Sequence, residues 1–235
     1  MKVAFLLKGF YRLDNTQSGI RFTFTGQNQN YHFNNVIDNF YENVYIPLNN
    51  TCDCDWYFVT YEDIDILEFK TFLLSKMPLF KFILMKQTDD STAIQNFYYG
   101  VKHIADNKKY DRYIFARNDL EYKKTFDTFL PVYDSLEAKF FYLFKELTHN
   151  DDRISDNIFI VDNNVELFIL FLEECLSRND VKESKYNLHN TYEVLVKYFK
   201  TISSLIDGCY DNDTSYNYPF SNNPVYKFAN RPYYF

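Results

Sequence analysis

The chain has 235 residues, of which 46% are apolar and 20% aromatic, enough for one substantial core and too hydrophobic for a disordered polypeptide. Its formal net charge of −7 argues against generic nucleic-acid binding, which needs clustered Lys and Arg against phosphates. The apolar run Val3 to Leu7 ends at Lys8 and is too short for a signal-peptide core or a membrane span; no later segment reads as a span either. Cys52 and Cys54 form one Cys-Asp-Cys pair with no second pair or flanking histidines to complete a zinc site; with Cys175 and Cys209 they read as free thiols of a reducing, cytoplasmic compartment.

In chain order, Val3 to Leu7 reads as a strand buried on both faces, as in a parallel sheet. The polar stretch Asp14 to Asn30 reads as a loop or small hairpin, because Ile20 to Thr25 alternates at strand period. Phe33, Val36, Ile37, Phe40, Tyr41 and Val44 recur at helical spacing, with Pro47 expected to end the helix. Trp56 to Thr60 and Phe80 to Met85 are strands, with a short helix around Leu67 to Leu74 between them. A helix is expected from Ser91, as N-cap, to Asn107, followed by a strand from Arg112 to Ala116. Further on, Ala138 to Phe144 and Asn157 to Val161 are strand-like, Val165 to Cys175 is helical, and Tyr192 to Ile206 is expected as one helix. The tail from Gly208 to Phe235 is rich in aromatics and is expected to pack back over the domain. Strands alternating with helices predict an α/β domain with a doubly wound sheet whose ligand site lies at the carboxyl ends of the strands. A single domain over 1–235 is expected.

The stretch with chemical content is Tyr110 to Glu121, an apolar strand that runs into Arg117-Asn118-Asp119. At a strand's carboxyl end this suits a diphosphate-bearing ligand: Asp119 offers hard oxygen to a divalent metal, and Arg117 can contact phosphate directly. Gly9, after the first strand, lets the backbone approach a ligand closely, with Lys8 or Arg12 beside it. Gln95, near the start of the helix that precedes the Arg-Asn-Asp strand, is a donor-facing candidate. For a general base or acceptor contact Asp156 leads, at the boundary of an apolar strand, with Asp152 and Glu193 behind it.

Taken together, Lys8-Gly9-Phe10-Tyr11-Arg12 after the first strand, Cys54-Asp55-Trp56 to Tyr61, Tyr110-Asp111 to Asp119-Leu120, Asp151 to Asn157, and His189 to Leu195 resemble a group of glycosyltransferase-like proteins of large DNA viruses and microbial surface-glycan clusters. The resemblance implies a GT-A-like fold, a mainly parallel sheet flanked by helices, with a donor half over 1–120 and an acceptor half with the aromatic tail over 121–235. It implies a nucleotide-sugar donor, a glycan or small acceptor, and a cytoplasmic location, the host cytoplasm for a viral protein. In GT-A enzymes an Asp-x-Asp motif binds the metal and the diphosphate. Here Arg117 stands in the first position, so either Asp119 alone holds Mn2+ or Mg2+ or Arg117 takes over part of the charge neutralisation.

Two other classes compete with glycosyl transfer. A GT-A-like protein without the full Asp-x-Asp motif could retain only carbohydrate or partner recognition. A nucleotidyltransferase shares the sheet but normally brings a Gly-rich phosphate loop near its start, and only Gly9 and Gly19 occur in that region.

Overall fold

A computed structural model of the chain describes residues 1–9, 12–14, 21–23, 36–62, 66–86, 92–118, 120–129, 139–143, 145–146, 154–178, 192–206, 209–210 and 224–228. The strands are β1 (Lys2–Lys8), β2 (Arg12–Asp14), β3 (Arg21–Thr23), β4 (Asp53–Tyr61), β5 (Phe80–Met85), β6 (Arg112–Arg117), β7 (Leu120–Tyr122), β8 (Lys139–Tyr142), β9 (Lys145–Glu146), β10 (Ile158–Asp162), β11 (Thr201–Ser204), β12 (Cys209–Tyr210) and β13 (Tyr226–Phe228). The helices are α1 over 36–51, α2 (Ile66–Lys76), α3 (Ala93–Asn107), α4 (Val165–Ser177) and α5 (Tyr192–Tyr198).

One seven-stranded sheet organises the molecule, in the order β11-β8-β10-β6-β1-β4-β5. β1 pairs in parallel with β4 and β6, β4 with β5, and β8 with β11; β10 alone runs antiparallel, between β6 and β8. The expected α/β class and mainly parallel sheet are therefore what the chain forms. Continuous apolar runs explain it: β1, β6 and β10 are buried along nearly their whole length, which only a sheet covered on both faces can accommodate.

The side-chain alternation of the strands divides the interior into two cores. Val3, Phe5, Leu7, Trp56, Phe58, Ile114 and Ala116 face α1 and α2, whereas Ala4, Leu6, Val59, Tyr113, Phe115 and Phe159 face α3 to α5. Both are aromatic. Trp56 lies 5.0 Å from Phe5 and 4.8 Å from Tyr45 between ring centroids, and Phe168 lies 5.0 Å from Phe115 on the other side. Such contacts add specific edge and offset packing to ordinary apolar burial. Gly100 lets α3 sit close on β4: a Cβ there would stand 2.9 Å from Val59 Cβ.

Three elements differ from the sequence expectation. Pro47 does not end the first helix; a π turn at Tyr41–Tyr45 precedes it and α-helix resumes at Ile46–Thr51 with proline in its first turn, where a missing N–H costs little. The N-cap of α3 is Thr92, one residue beyond Ser91, and it forms a full capping box with Gln95. The helix expected over Tyr192 to Ile206 stops at Tyr198, and Thr201–Ser204 becomes edge strand β11 on β8. Late in the chain, β13 pairs antiparallel with β7, so this part of the aromatic tail does return to the domain.

Candidate functional site

From β1 the chain moves outward through β4 to β5, then returns to place β6 on the other side of β1. This reversal of winding opens a crevice at the carboxyl ends of β1 and β6, the position at which open α/β sheets bind ligands. The residues there are Lys8-Gly9 and Arg117-Asn118, and Lys8 and Arg117 are direct register partners. Two cationic residues are thus set side by side at the strand ends.

The crevice is closely built. Asn118 N–H donates to the Lys8 carbonyl at 3.1 Å, while Arg117 N–H donates to the Asn157 carbonyl at 3.0 Å, so the end of β6 is held from both sides. Gly9 has φ +143°, and a Cβ on it would fall 2.1 Å from Asn118 Oδ1. Its glycine is therefore required by the Asn118 side chain packed against it as well as by its backbone conformation. Lys8 is buried; its Nζ donates to the Asp156 carbonyl at 3.0 Å and lies 4.4 Å from the centroid of Phe97 and 5.4 Å from that of Phe159. A carbonyl and two aromatic faces offset part of the cost of taking an ammonium out of water.

Asp156 sits just before β10 in the buried segment Ile154 to Asn157. Lys8 holds it through its carbonyl, and the Arg117 N–H holds the next residue. The Asn157 amide donates to Ser155 Oγ at 3.2 Å and to the Tyr226 hydroxyl. Burial pushes the Tyr226 hydroxyl far above the ordinary phenol range, against the pull of Ser155 and Asn157, with the nearby Asp156 charge adding to it and Arg117 opposing it. It stays protonated at any working pH. The structure thereby brings Lys8, Gly9, Arg117, Asn118 and Asp156 to one edge and adds Ser155, Asn157 and Tyr226. Nothing local in the sequence distinguishes Tyr226 from the other tyrosines of the tail; only the β13–β7 pairing does.

Two of the remaining candidates are engaged in other contacts. Gln95 caps α3: its Oε1 accepts from Thr92 N–H at 2.9 Å and its own N–H donates to Thr92 Oγ1 at 3.2 Å, so its side-chain oxygen serves the helix end. Glu193 is exposed on α5 and accepts from Arg178 at 2.9 Å, in the helical layer. Asp119 and Asp152 lie outside the described residues, and Arg12 is described only as backbone in β2. Among the described residues no three His, Cys, Asp or Glu side chains gather closely enough to hold a metal ion, and no helix is long and apolar enough to cross a membrane.

No protein-family model matches the sequence, and no curated protein matches it. Solved structures match in fold. The galactosyltransferase LgtC, crystallised in complex with donor and acceptor sugar analogues, superposes with a TM-score of 0.51 at 7% identity, over 87% of this chain and 73% of that one. The fold is GT-A-like. The apo-form glycosyltransferase GlyE of Streptococcus pneumoniae TIGR4 superposes at 0.48 with 9% identity, over 84% of this chain and 44% of GlyE; the chain thus spans less than half of GlyE's length. A 4-diphosphocytidyl-2C-methyl-D-erythritol synthase of Anaerococcus prevotii superposes at 0.49 with 10% identity, over 86% and 87% of the two chains. At these identities the likeness is one of fold.

Proposed function

We propose that this protein is a glycosyltransferase that binds a nucleotide-sugar donor at the β1/β6 crevice and moves the sugar to a hydroxyl of a glycan or small acceptor. The observation that carries the reading is the register pairing of Lys8 with Arg117 at the carboxyl edge of the switch point. Arg117 at this edge can offer a donor diphosphate charge-assisted hydrogen bonds from its planar guanidinium. In this reading residues 1–120 supply the donor half and 121–235 the acceptor half, and the protein acts in the cytoplasm.

During transfer the bond from the anomeric carbon to the diphosphate oxygen breaks, and the diphosphate leaves with the electron pair. Arg117 stabilises the charge that builds there, and Gly9 lets the diphosphate approach the backbone. In an inverting transfer the Asp156 carboxylate takes the proton from the acceptor hydroxyl as its oxygen bonds to the anomeric carbon. Lys8 holds Asp156 in place through its carbonyl. A divalent metal, Mn2+ or Mg2+, would neutralise diphosphate charge, with Asp119 as its protein ligand. The described side chains at the crevice include one carboxylate, Asp156, and among the described residues no three His, Cys, Asp or Glu gather to hold a metal.

Arg117 in the place of the first Asp of Asp-x-Asp favours one other reading, a GT-A-like protein that recognises carbohydrate without turnover. A thermal-shift panel of nucleoside diphosphates, sugar nucleotides and glycans, with and without Mn2+, combined with an assay of sugar-nucleotide hydrolysis, separates the two. A ligand that binds the native state raises its apparent stability by mass action. Transfer predicts a shift with at least one nucleotide together with hydrolysis; recognition alone predicts a shift with a glycan and no hydrolysis.

A further inference from the structure

We propose that the β13 segment is a strap that couples the two sides of the crevice, with Tyr226 as the positioning residue that fixes the Asp156 segment to β7, the strand that follows the end of β6. The use of this coupling in donor binding rests on the function proposed above; the coupling itself does not. β7 begins at Leu120, and β13 pairs with it through Tyr226↔Tyr122, Lys227↔Glu121 and Phe228↔Leu120. Lys123 N–H donates to the Val225 carbonyl at 2.6 Å. On the far side of β7 the Asn39 amide takes the place of a second strand, with Oδ1 accepting from Tyr122 N–H and Nδ2 donating to the Tyr122 carbonyl at 2.9 Å. β7 is thus clamped between α1 and β13, close in sequence to Arg117 and Asn118.

From the same strap the Tyr226 side chain runs into the core, fully buried, and its hydroxyl meets Asn157 and Ser155 on either side of Asp156. One residue therefore joins β7, through its pairing with Tyr122, to the Asp156 segment, through its hydroxyl. A buried hydroxyl between two polar partners gives this tie direction, because losing it leaves the Asn157 amide to find another acceptor. The ring alone would only fill space.

Tyr226→Phe keeps the ring and removes the tie. The measurement is amide hydrogen exchange of the parent and of this variant, resolved to segments, under conditions where both are folded. The coupling predicts that exchange at 155–157 and 117–118 accelerates about tenfold or more, while β1 and β4 stay within about twofold of the parent. Uniform acceleration across the sheet, the mark of a merely structural role, would overturn it, as would unchanged exchange at 155–157. Asn157→Leu in the same experiment serves as the second arm: if the tie is the hydroxyl–amide contact, adding Tyr226→Phe to it accelerates 117–118 no further, and a full additive effect contradicts the assignment. Nucleoside diphosphate binding to the parent, read separately by thermal shift, tests the function and leaves the exchange result standing on its own.

Discussion

The two edges of the sheet use charge in opposite ways. At the amino edge, where β4 begins, Asp55 accepts from Lys81 at 2.8 Å and Tyr110 at 2.7 Å and also pairs with Lys108. Tyr110 in turn shares a 2.7 Å hydrogen bond with Tyr57, and on the neighbouring strands Arg112 stands 4.0 Å from Asp162. Opposite charges are matched there. Burial works to raise the Asp55 carboxyl, but the hydrogen bonds from Lys108, Lys81 and Tyr110 outweigh it and hold it below the ordinary range. At the carboxyl edge β1 and β6 end in Lys8 and Arg117 in register, beside a positive-φ glycine and the buried Asp156. The first arrangement is a stabilising closure; the second is where a donor diphosphate is proposed to bind.

The largest expected effect breaks the carboxyl edge. Arg117→Ala should lower sugar-nucleotide hydrolysis or transfer by about a hundredfold or more, the usual consequence of losing a principal charge stabiliser, and Asp119→Asn should do the same where a divalent metal held by Asp119 carries the greater share. Melting temperature, measured alongside, should stay close to the parent in Asp119→Asn.

Next in size, Gly9→Ala would force a Cβ onto Asn118 Oδ1 at φ +143° and should cost about 1–3 kcal/mol of stability together with nucleotide binding. Gly100→Ala meets Val59 instead and should cost about 1–3 kcal/mol by overpacking while leaving nucleotide affinity unchanged. Chemical denaturation and nucleotide titration of both variants sharpen the distinction between a glycine of the crevice and a glycine of the core.

The parts legible in sequence and the parts that were not divide along physical lines. β1, β6 and β4 from Trp56 onward announce themselves as apolar runs because burial on both faces leaves almost no polar position. Gly9 is legible as a glycine that permits close approach to the backbone, but the neighbour that requires it, Asn118, lies far off in sequence. β11 was misread because Val194, Leu195, Tyr198, Phe199, Ile202 and Leu205 keep helical spacing through Lys200, and only pairing with β8 makes Thr201–Ser204 extended. Ser91 and Thr92 are equivalent caps by residue type, and the Gln95 side chain decides between them. Tyr226 has no local signal at all: its role depends on contacts with Asn157 and β7.

At the amino edge, Asp55→Asn should lower stability by about 1 kcal/mol, since both lysines are well exposed and screened, and should leave nucleotide binding untouched. Because the folded carboxyl titrates below its ordinary value of 3.8, its contribution is complete above that pH and drains as pH falls below it. Smallest is Glu174, brought from 4.5 down to about 2 by hydrogen bonds from Lys197, Arg178 and Tyr198. The melting-temperature difference between the parent and Glu174→Gln should be constant above about pH 5 and shrink as pH falls toward 2.

At the centre of the proposed function, Arg117 at the carboxyl ends of β1 and β6 receives the diphosphate of a nucleotide. Calorimetric titration of UDP, GDP, ADP and CDP, each with and without Mn2+, into the parent and into folded Arg117→Ala tests it most directly. The account predicts saturable binding of at least one of them to the parent, weakened about tenfold or more in Arg117→Ala, as expected when a charge-assisted contact to phosphate is lost. Equal affinity in the two proteins, or no binding of any of the four to the parent, would contradict it.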